Sequence, residues 1–131
     1  MMIQVTAAIL WDAERVMIAR RKPGIKYAGF WEFPGGKVER GESPETCLVR
    51  EIEEEFSISV RIEAFFAENI HAYPDRTVQL LAFTVCWLDG VLTPVDHDAL
   101  KWVPPTGLRD YALLPADRPL VEKLVQTLNP I

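Results

Sequence analysis

A chain of 131 residues, 49% hydrophobic and 25% charged, is long enough to bury a true core as one domain over residues 1–131 and leaves no room for a second catalytic module. Its formal charge of -5 and pI near 5.0 argue against a surface that grips long nucleic acid, although a small phosphorylated ligand reached through metal ions stays compatible. Two cysteines, Cys47 and Cys86, are too few for a disulfide scaffold; with no basic stretch ahead of an apolar run and no apolar segment of membrane-spanning length, the expected setting is the cytoplasm.

Two apolar, β-prone runs at 5–10 and 16–20 flank the polar residues 12–15 and predict a hairpin. Gly35 and Gly36 follow Pro34, and two adjacent glycines allow a tight turn that presents a bare carbonyl, a good ligand for a hard cation. Ser43 then reads as an N-cap with Pro44 at the first helical position, so a helix begins near residue 44.

On that helix, at about 100° per residue, Leu48, Val49, Ile52 and Phe56 form the core stripe, while Glu51, Glu54 and Glu55 share a neighbouring arc and Glu53 points away. Like charges three and four apart repel on a helix, and a divalent ion would reverse the sign. A solvated acidic face is the usual meaning of such a run. The glycine turn before the trio and Arg50 beside it favour a magnesium site, which is built from a few carboxylates, waters and phosphate oxygens.

Further along, residues 60–71 and 77–88 read as a second strand pair around the turn Tyr73-Pro74-Asp75-Arg76, and Asp89-Gly90 marks another turn. The loop Val95-Asp96-His97-Asp98 precedes a short strand at 100–103. Leu120, Leu124, Val125 and Leu128 give a last helix, with Asp117 as its cap and Pro119 tolerated in its first turn. Two helices with mixed strands place the chain in the α/β class, as a sheet covered on both faces.

The segment from Gly36 to Ile58 resembles the signature of the Nudix hydrolases, G-x5-E-x7-R-E-U-x-E-E-x-G-U with U a bulky aliphatic residue: Gly36, Glu42, Arg50, Glu51, Ile52, Glu54, Glu55 and Ile58 match. One position departs, since Ser57 stands where the signature has its late glycine, which bears on how the helix ends and not on any metal ligand. The resemblance implies an α/β/α sandwich with a mixed sheet between helices. It also implies that the Gly36 carbonyl with Glu51, Glu54 and Glu55 would hold Mg2+, or Mn2+ in its place, and that Arg50 would orient Glu51.

Cations neutralise the phosphate charge that repels a nucleophilic water and lower that water's pKa. Glu51 is the first choice for handling the water. A metal-bound carboxylate is a weaker base, so Asp96 is a second acid to consider, as a further ligand or base, against the alternative of a solvated loop acid. His97 is expected to be solvated or indirect and stays outside the predicted site.

Resemblance to MutT-type members extends through Ile18-Ala19-Arg20-Arg21, Trp31-Glu32-Phe33-Pro34-Gly35-Gly36, Tyr73-Pro74-Asp75-Arg76 and Leu114-Pro115-Ala116-Asp117-Arg118-Pro119. It implies that Arg21 lies near the nucleotide, that Phe33 and Tyr73 border the base pocket, and that Asp117 reads the base edge. Phe33 and Tyr73 serve core or hairpin packing equally well. Many MutT-type chains carry Asn at the position of Asp117. A carboxylate only accepts hydrogen bonds, so Asp117 would favour an edge rich in N–H groups, which both 8-oxoguanine and cytosine offer.

The reading is thus a pyrophosphohydrolase that converts nucleoside triphosphates to monophosphate and pyrophosphate, with 8-oxo-dGTP cleansing ahead of CTP or dCTP hydrolysis. ADP-ribose or dinucleoside polyphosphate hydrolysis fits the signature less closely, Pro74 being equally a turn residue. A non-catalytic nucleotide-binding module would lack part of the acidic set, which is complete here. No protein, nucleic-acid or membrane partner is expected.

Overall fold

The computed structural model describes residues 2–128, and the side chain of Leu128, the last apolar position expected in the final helix, lies outside that description. In chain order the elements are β1 (Met2–Asp12), β2 (Arg15–Arg21), β3 (Trp31–Glu32), α1 (Pro44–Phe56), β4 (Ile58–Ala72), β5 (Thr77–Gly90), β6 (His97–Val103), a 3-10 turn (Pro105–Asp110) and α2 (Arg118–Leu128). The strands run β3-β2-β1-β5-β4, with β6 on β2.

The β1–β2 hairpin pairs only at its tip, Trp11 with Val16 and Asp12 with Arg15. Over Met2 to Leu10, β1 instead runs parallel to β5. Its sequence accounts for this: Ala7 and Ile9 enter one apolar cluster, Ala8 and Leu10 the other, and a strand buried on both faces belongs at the centre of a sheet. The expected pair β4 and β5 forms antiparallel, with bulges between Ser59 and Val60, Ile62 and Ala64, and Phe65 and Ala67.

The two clusters are the two interior layers of the predicted sandwich. Leu48, Ile52 and Phe56 of α1 pack on Leu10, Met17, Val60 and Val85; Leu120, Val121 and Leu124 of α2 pack on Ile9, Ile18, Leu80 and Phe33. At about 1.5–3 kcal/mol per fully buried large apolar side chain, each layer contributes strongly to stability. The start of α1 is as expected: Ser43 is extended (φ -75, ψ 154) and its Oγ accepts from Thr46 N–H at 3.1 Å.

The glycine segment departs from expectation. Gly36 has no positive φ, and residues 34–38 run along the open side of β1, with Ala8 N–H donating to the Pro34 carbonyl, Thr6 N–H to that of Gly36 and Val38 N–H to that of Gln4, at 2.7, 2.8 and 3.0 Å. Its carbonyl is therefore a ladder acceptor, not a bare group. What glycine supplies there is closeness: a Cβ on Gly35 would lie 1.9 Å from the Thr6 carbonyl oxygen.

Candidate active site

Arg50 organises the first half of the site. Its Nε and NH2 reach Glu42 at 2.7 and 2.9 Å, and its NH1 reaches Glu51 Oε1 and Glu54 Oε2, each at 3.1 Å. Hydrogen bonding to Glu42 raises the guanidinium pKa above its ordinary value, and in return Arg50 holds the Glu42 carboxyl at about 2. Glu42 thus anchors Arg50, and Arg50 fixes two of the three predicted carboxylates.

The trio does not behave as one. Glu51 is half-buried against Gly36 and Glu54 is exposed, whereas Glu55 faces the pocket. Arg50 and Glu54 line a different groove, on the outer side of α1. Among the described residues no three His, Cys, Asp or Glu side chains already meet at one point.

Glu55 carries the clearest mark of a missing partner, a buried Oε2 without a hydrogen bond. Burial raises its pKa, and the neighbouring Asp96 raises it further. Asp96 is itself held low by Lys22, whose Nζ lies 3.1 Å from Oδ1. Oxygen donors only, one of them orphaned and two crowded together, suit a hard divalent cation.

A cavity of about 410 Å³ runs from Gly36, Glu55 and Asp96 to Phe33, Tyr73, Ala116 and Asp117, with Arg21, Lys22, Lys37 and Arg76 along its walls. Phe33 and Tyr73 both pack as foreseen and both line this cavity. Phe33 is a core residue that also lines the cavity, and Tyr73 packs on Tyr27 and His71 while its hydroxyl accepts from Ala116 N–H at 3.0 Å.

Asp117 corrects one expectation. Its carboxylate does not cap α2; Oδ2 accepts from Phe33 N–H at 2.9 Å, joining the helix start to the strand segment across the cavity. It is buried, and burial together with the charge of Glu32 pushes its pKa up to about 8. Near neutral pH the group carries its proton, so one oxygen is tied to Phe33 and the acid can donate as well as accept.

Glu32, Lys22 and His97 line the cavity as well, though none of them stood in the site expected from the sequence. Glu32 joins Arg21 NH1, at 3.0 Å, to His97 Nε2, at 2.8 Å. His97 begins β6 and is not a solvated loop residue: its ring is 7% exposed, stacks on Phe56, and leaves Nδ1 buried without a partner. Their signal was positional, since Glu32 lies in the Trp31-Glu32-Phe33 block and His97 beside Asp96.

A cleft that sets an aromatic, hydrogen-bonding end against an acidic, oxygen-lined end suits a phosphorylated nucleoside. The profile described as the NUDIX domain matches residues 2–124, and the chain belongs to the Nudix hydrolase family. It is 39% identical over 121 residues to the CTP pyrophosphohydrolase of Escherichia coli (92% of this chain, 90% of that one) and 31% identical over 123 residues to the 8-oxo-dGTP diphosphatase of the same organism (93% and 95%).

Among solved structures it resembles the E. coli ORF135 protein with a TM-score of 0.86 at 37% identity, covering 98% of this chain and 91% of that one. Family members use divalent metals and act on small nucleotides. Among the described residues no helix is long and apolar enough to cross a membrane.

Proposed function

We propose that this protein hydrolyses nucleoside triphosphates to a nucleoside monophosphate and pyrophosphate with Mg2+ as its cofactor, Mn2+ substituting, and that oxidised nucleotides such as 8-oxo-dGTP are its substrates. The observation that carries this is the single cavity joining the Asp117, Phe33 and Tyr73 end to the Glu55, Asp96 and Gly36 end, long enough in chemistry for a base at one side and phosphates at the other. Glu55 and Asp96 line that cavity and would hold the metal, which supplies charge neutralisation at the phosphates and a more acidic water; Glu51, Glu54 and the Gly36 carbonyl would join them only by turning from their present partners, Arg50 and Thr6.

The chain's own groups do the rest. Burial raises the Glu51 pKa, and Arg50, anchored by Glu42, offsets part of that rise while it keeps Glu51 oriented for handling the attacking water. Arg21, Lys22, Lys37 and Arg76 face the cavity beside Glu32, Glu55, Asp96 and Asp117, so a protein of net charge -5 brings basic side chains to this cleft that can meet a polyphosphate. Tyr73 and Phe33 border the base, and Asp117 meets its edge.

A second reading, CTP or dCTP hydrolysis, is favoured by the 39% identity to a protein named CTP pyrophosphohydrolase. Pyrophosphate release from purified protein against 8-oxo-dGTP, dGTP, CTP and dCTP, with and without chelator, tests both. Full turnover in chelator, or no pyrophosphate from any triphosphate, would sink the proposal.

A further inference from the structure

Ala116 is held on both sides of its α-carbon by side chains from the β4 end of the sheet. Its N–H donates to the Tyr73 hydroxyl at 3.0 Å, and its carbonyl accepts from Asn69 Nδ2 at 2.9 Å. Asn69 is half-buried on β4, paired with Leu80 in the β4–β5 ladder. None of the roles above uses it.

The Asn69 bond falls where the backbone has little else to hold it. Leu114 N–H is fixed on the Trp31 carbonyl at 2.9 Å, Pro115 has no N–H to offer, and α2 begins at Arg118. The Asp117 carbonyl accepts from Leu120 N–H at 3.1 Å, so the carbonyl of the buried Ala116 lies one residue too early for the helix and relies on Asn69.

That carbonyl shares a rigid peptide with the Asp117 N–H, which donates to the Leu114 carbonyl at 2.9 Å. Asn69 thus sets the plane from which the Asp117 side chain departs, and Phe33 N–H fixes its far end at 2.9 Å. Ala116, Asp117 and Tyr73 line the cavity and Asn69 does not, so Asn69 reaches a ligand there through the segment it holds.

Resting on the nucleotide reading proposed above, we infer that Asn69 is a positioning residue for base discrimination: its amide holds the Ala116–Asp117 peptide so that Asp117 meets the base edge in one orientation. Donors and acceptors tell one base edge from another when the protein's group cannot turn to suit each. Without the Asn69 amide the Ala116 carbonyl loses its partner, the peptide turns to find another, and Asp117 adapts to matched and mismatched bases alike.

The experiment uses the full chain with Mg2+ and compares pyrophosphate release from 8-oxo-dGTP, dGTP, CTP and dCTP. The proteins are wild type, Asn69→Leu, Asn69→Asp, Asp117→Ala and the double variant Asn69→Leu with Asp117→Ala. Leucine is close to asparagine in size and aspartate in shape, yet at neutral pH neither donates to a carbonyl. The ratio of catalytic efficiency between the best and worst base should fall about threefold to tenfold in both single Asn69 variants, the size of one lost hydrogen bond, with KM for the best base rising more than kcat falls. In the Asp117→Ala background, Asn69→Leu should leave that ratio where Asp117→Ala alone puts it, because the effect passes through the Asp117 side chain. The Phe33 amide proton, which senses its bond to Asp117, should shift its resonance in nucleotide-free Asn69→Leu.

A residue that merely ties β4 to the start of α2 would slow all four nucleotides alike. Equal losses on all four, an unchanged ratio, an unmoved Phe33 resonance or an additive effect in the Asp117→Ala background would overturn the role of Asn69 while the nucleotide reading stands. So would equal turnover of all four by wild type, or failure of both single Asn69 variants to fold. If wild type released pyrophosphate from none of the four, the nucleotide reading and the role of Asn69 would fall together.

Discussion

A methyl group placed on Gly36 would lie 2.3 Å from Cδ and 2.5 Å from Oε2 of Glu51. The carboxylate most central to the proposed chemistry thus rests against a backbone that only glycine lets come so near. Gly35, one residue earlier, meets a backbone carbonyl instead, that of Thr6.

The neighbouring glycines should therefore fail differently when changed to alanine. In Gly36→Ala the obstructing group is a side chain that can swing away, so the fold should survive with a loss of about 1–2 kcal/mol, while displacement of Glu51 lowers turnover at least about tenfold. In Gly35→Ala the obstruction is the sheet itself, and destabilisation should exceed about 3 kcal/mol. Denaturant melts and turnover on both variants decide this; equal stability would show that the packing of one of the two glycines is misread.

Glu51 and Glu53 offer a test of which helix face carries chemistry. Glu51 is half-buried and bonded to Arg50, whereas Glu53 is exposed. Glu51→Gln should keep the fold and cost about a hundredfold or more in turnover, and Glu53→Gln should be close to silent. Comparable losses in the two would show that the acidic face acts only through its total charge.

Much of this arrangement was legible in the chain because it is local. The helix start follows from Ser43-Pro44, the apolar stripe from the spacing of Leu48, Ile52 and Phe56, and the strand pairs from β-prone runs interrupted by turn residues. What stayed hidden depends on distance through space. Nothing in residues 5–10 says that β1 pairs in parallel with a strand more than 70 positions later. Nor does the chain show that Asp117 bonds Phe33 across 84 positions, or that Glu32 links Arg21 to His97. A two-residue strand such as β3 carries too few residues for a periodic signal.

Ser57 stands where the family signature has glycine, and its backbone is left-handed, φ 61 and ψ 29, with its N–H donating to the Glu53 carbonyl at 3.0 Å. The helix end therefore does require positive φ, and serine bears the strain. Ser57→Gly should stabilise the protein by about 0.5–1 kcal/mol, the left-handed penalty of an L-residue less the extra chain entropy of glycine. Melting in denaturant reads this directly, with catalysis unaltered. A destabilised Ser57→Gly would mean that the serine side chain supplies contacts worth more than the strain.

Asp117 decides both a stability profile and a substrate profile. Its folded pKa, pushed up to about 8 chiefly by burial, lies above its ordinary value of 3.8, so the folded state holds the proton more tightly than the unfolded chain does. The associated stability is fully present below pH 3.8 and is lost as pH rises through about 8. Asp117→Asn has no proton to lose and keeps an oxygen for Phe33 N–H, so from about pH 5 to pH 8 wild type should lose roughly 2 kcal/mol or more relative to the variant. Glu51, Glu55 and Cys47 titrate in both proteins and cancel in the comparison.

The same titration governs the base edge. At about pH 6.5 the protonated acid and the amide each offer a donor and an acceptor, and ratios of catalytic efficiency among 8-oxo-dGTP, dGTP, CTP and dCTP should be similar in the two proteins. At about pH 9 wild type presents an acceptor only, and the ratios should diverge by about tenfold, the cost of one mispaired buried hydrogen bond. Using ratios removes the pH dependence of the phosphate chemistry. Identical ratios in both proteins at both pH values would place Asp117 outside base recognition and leave it the structural task of holding Phe33.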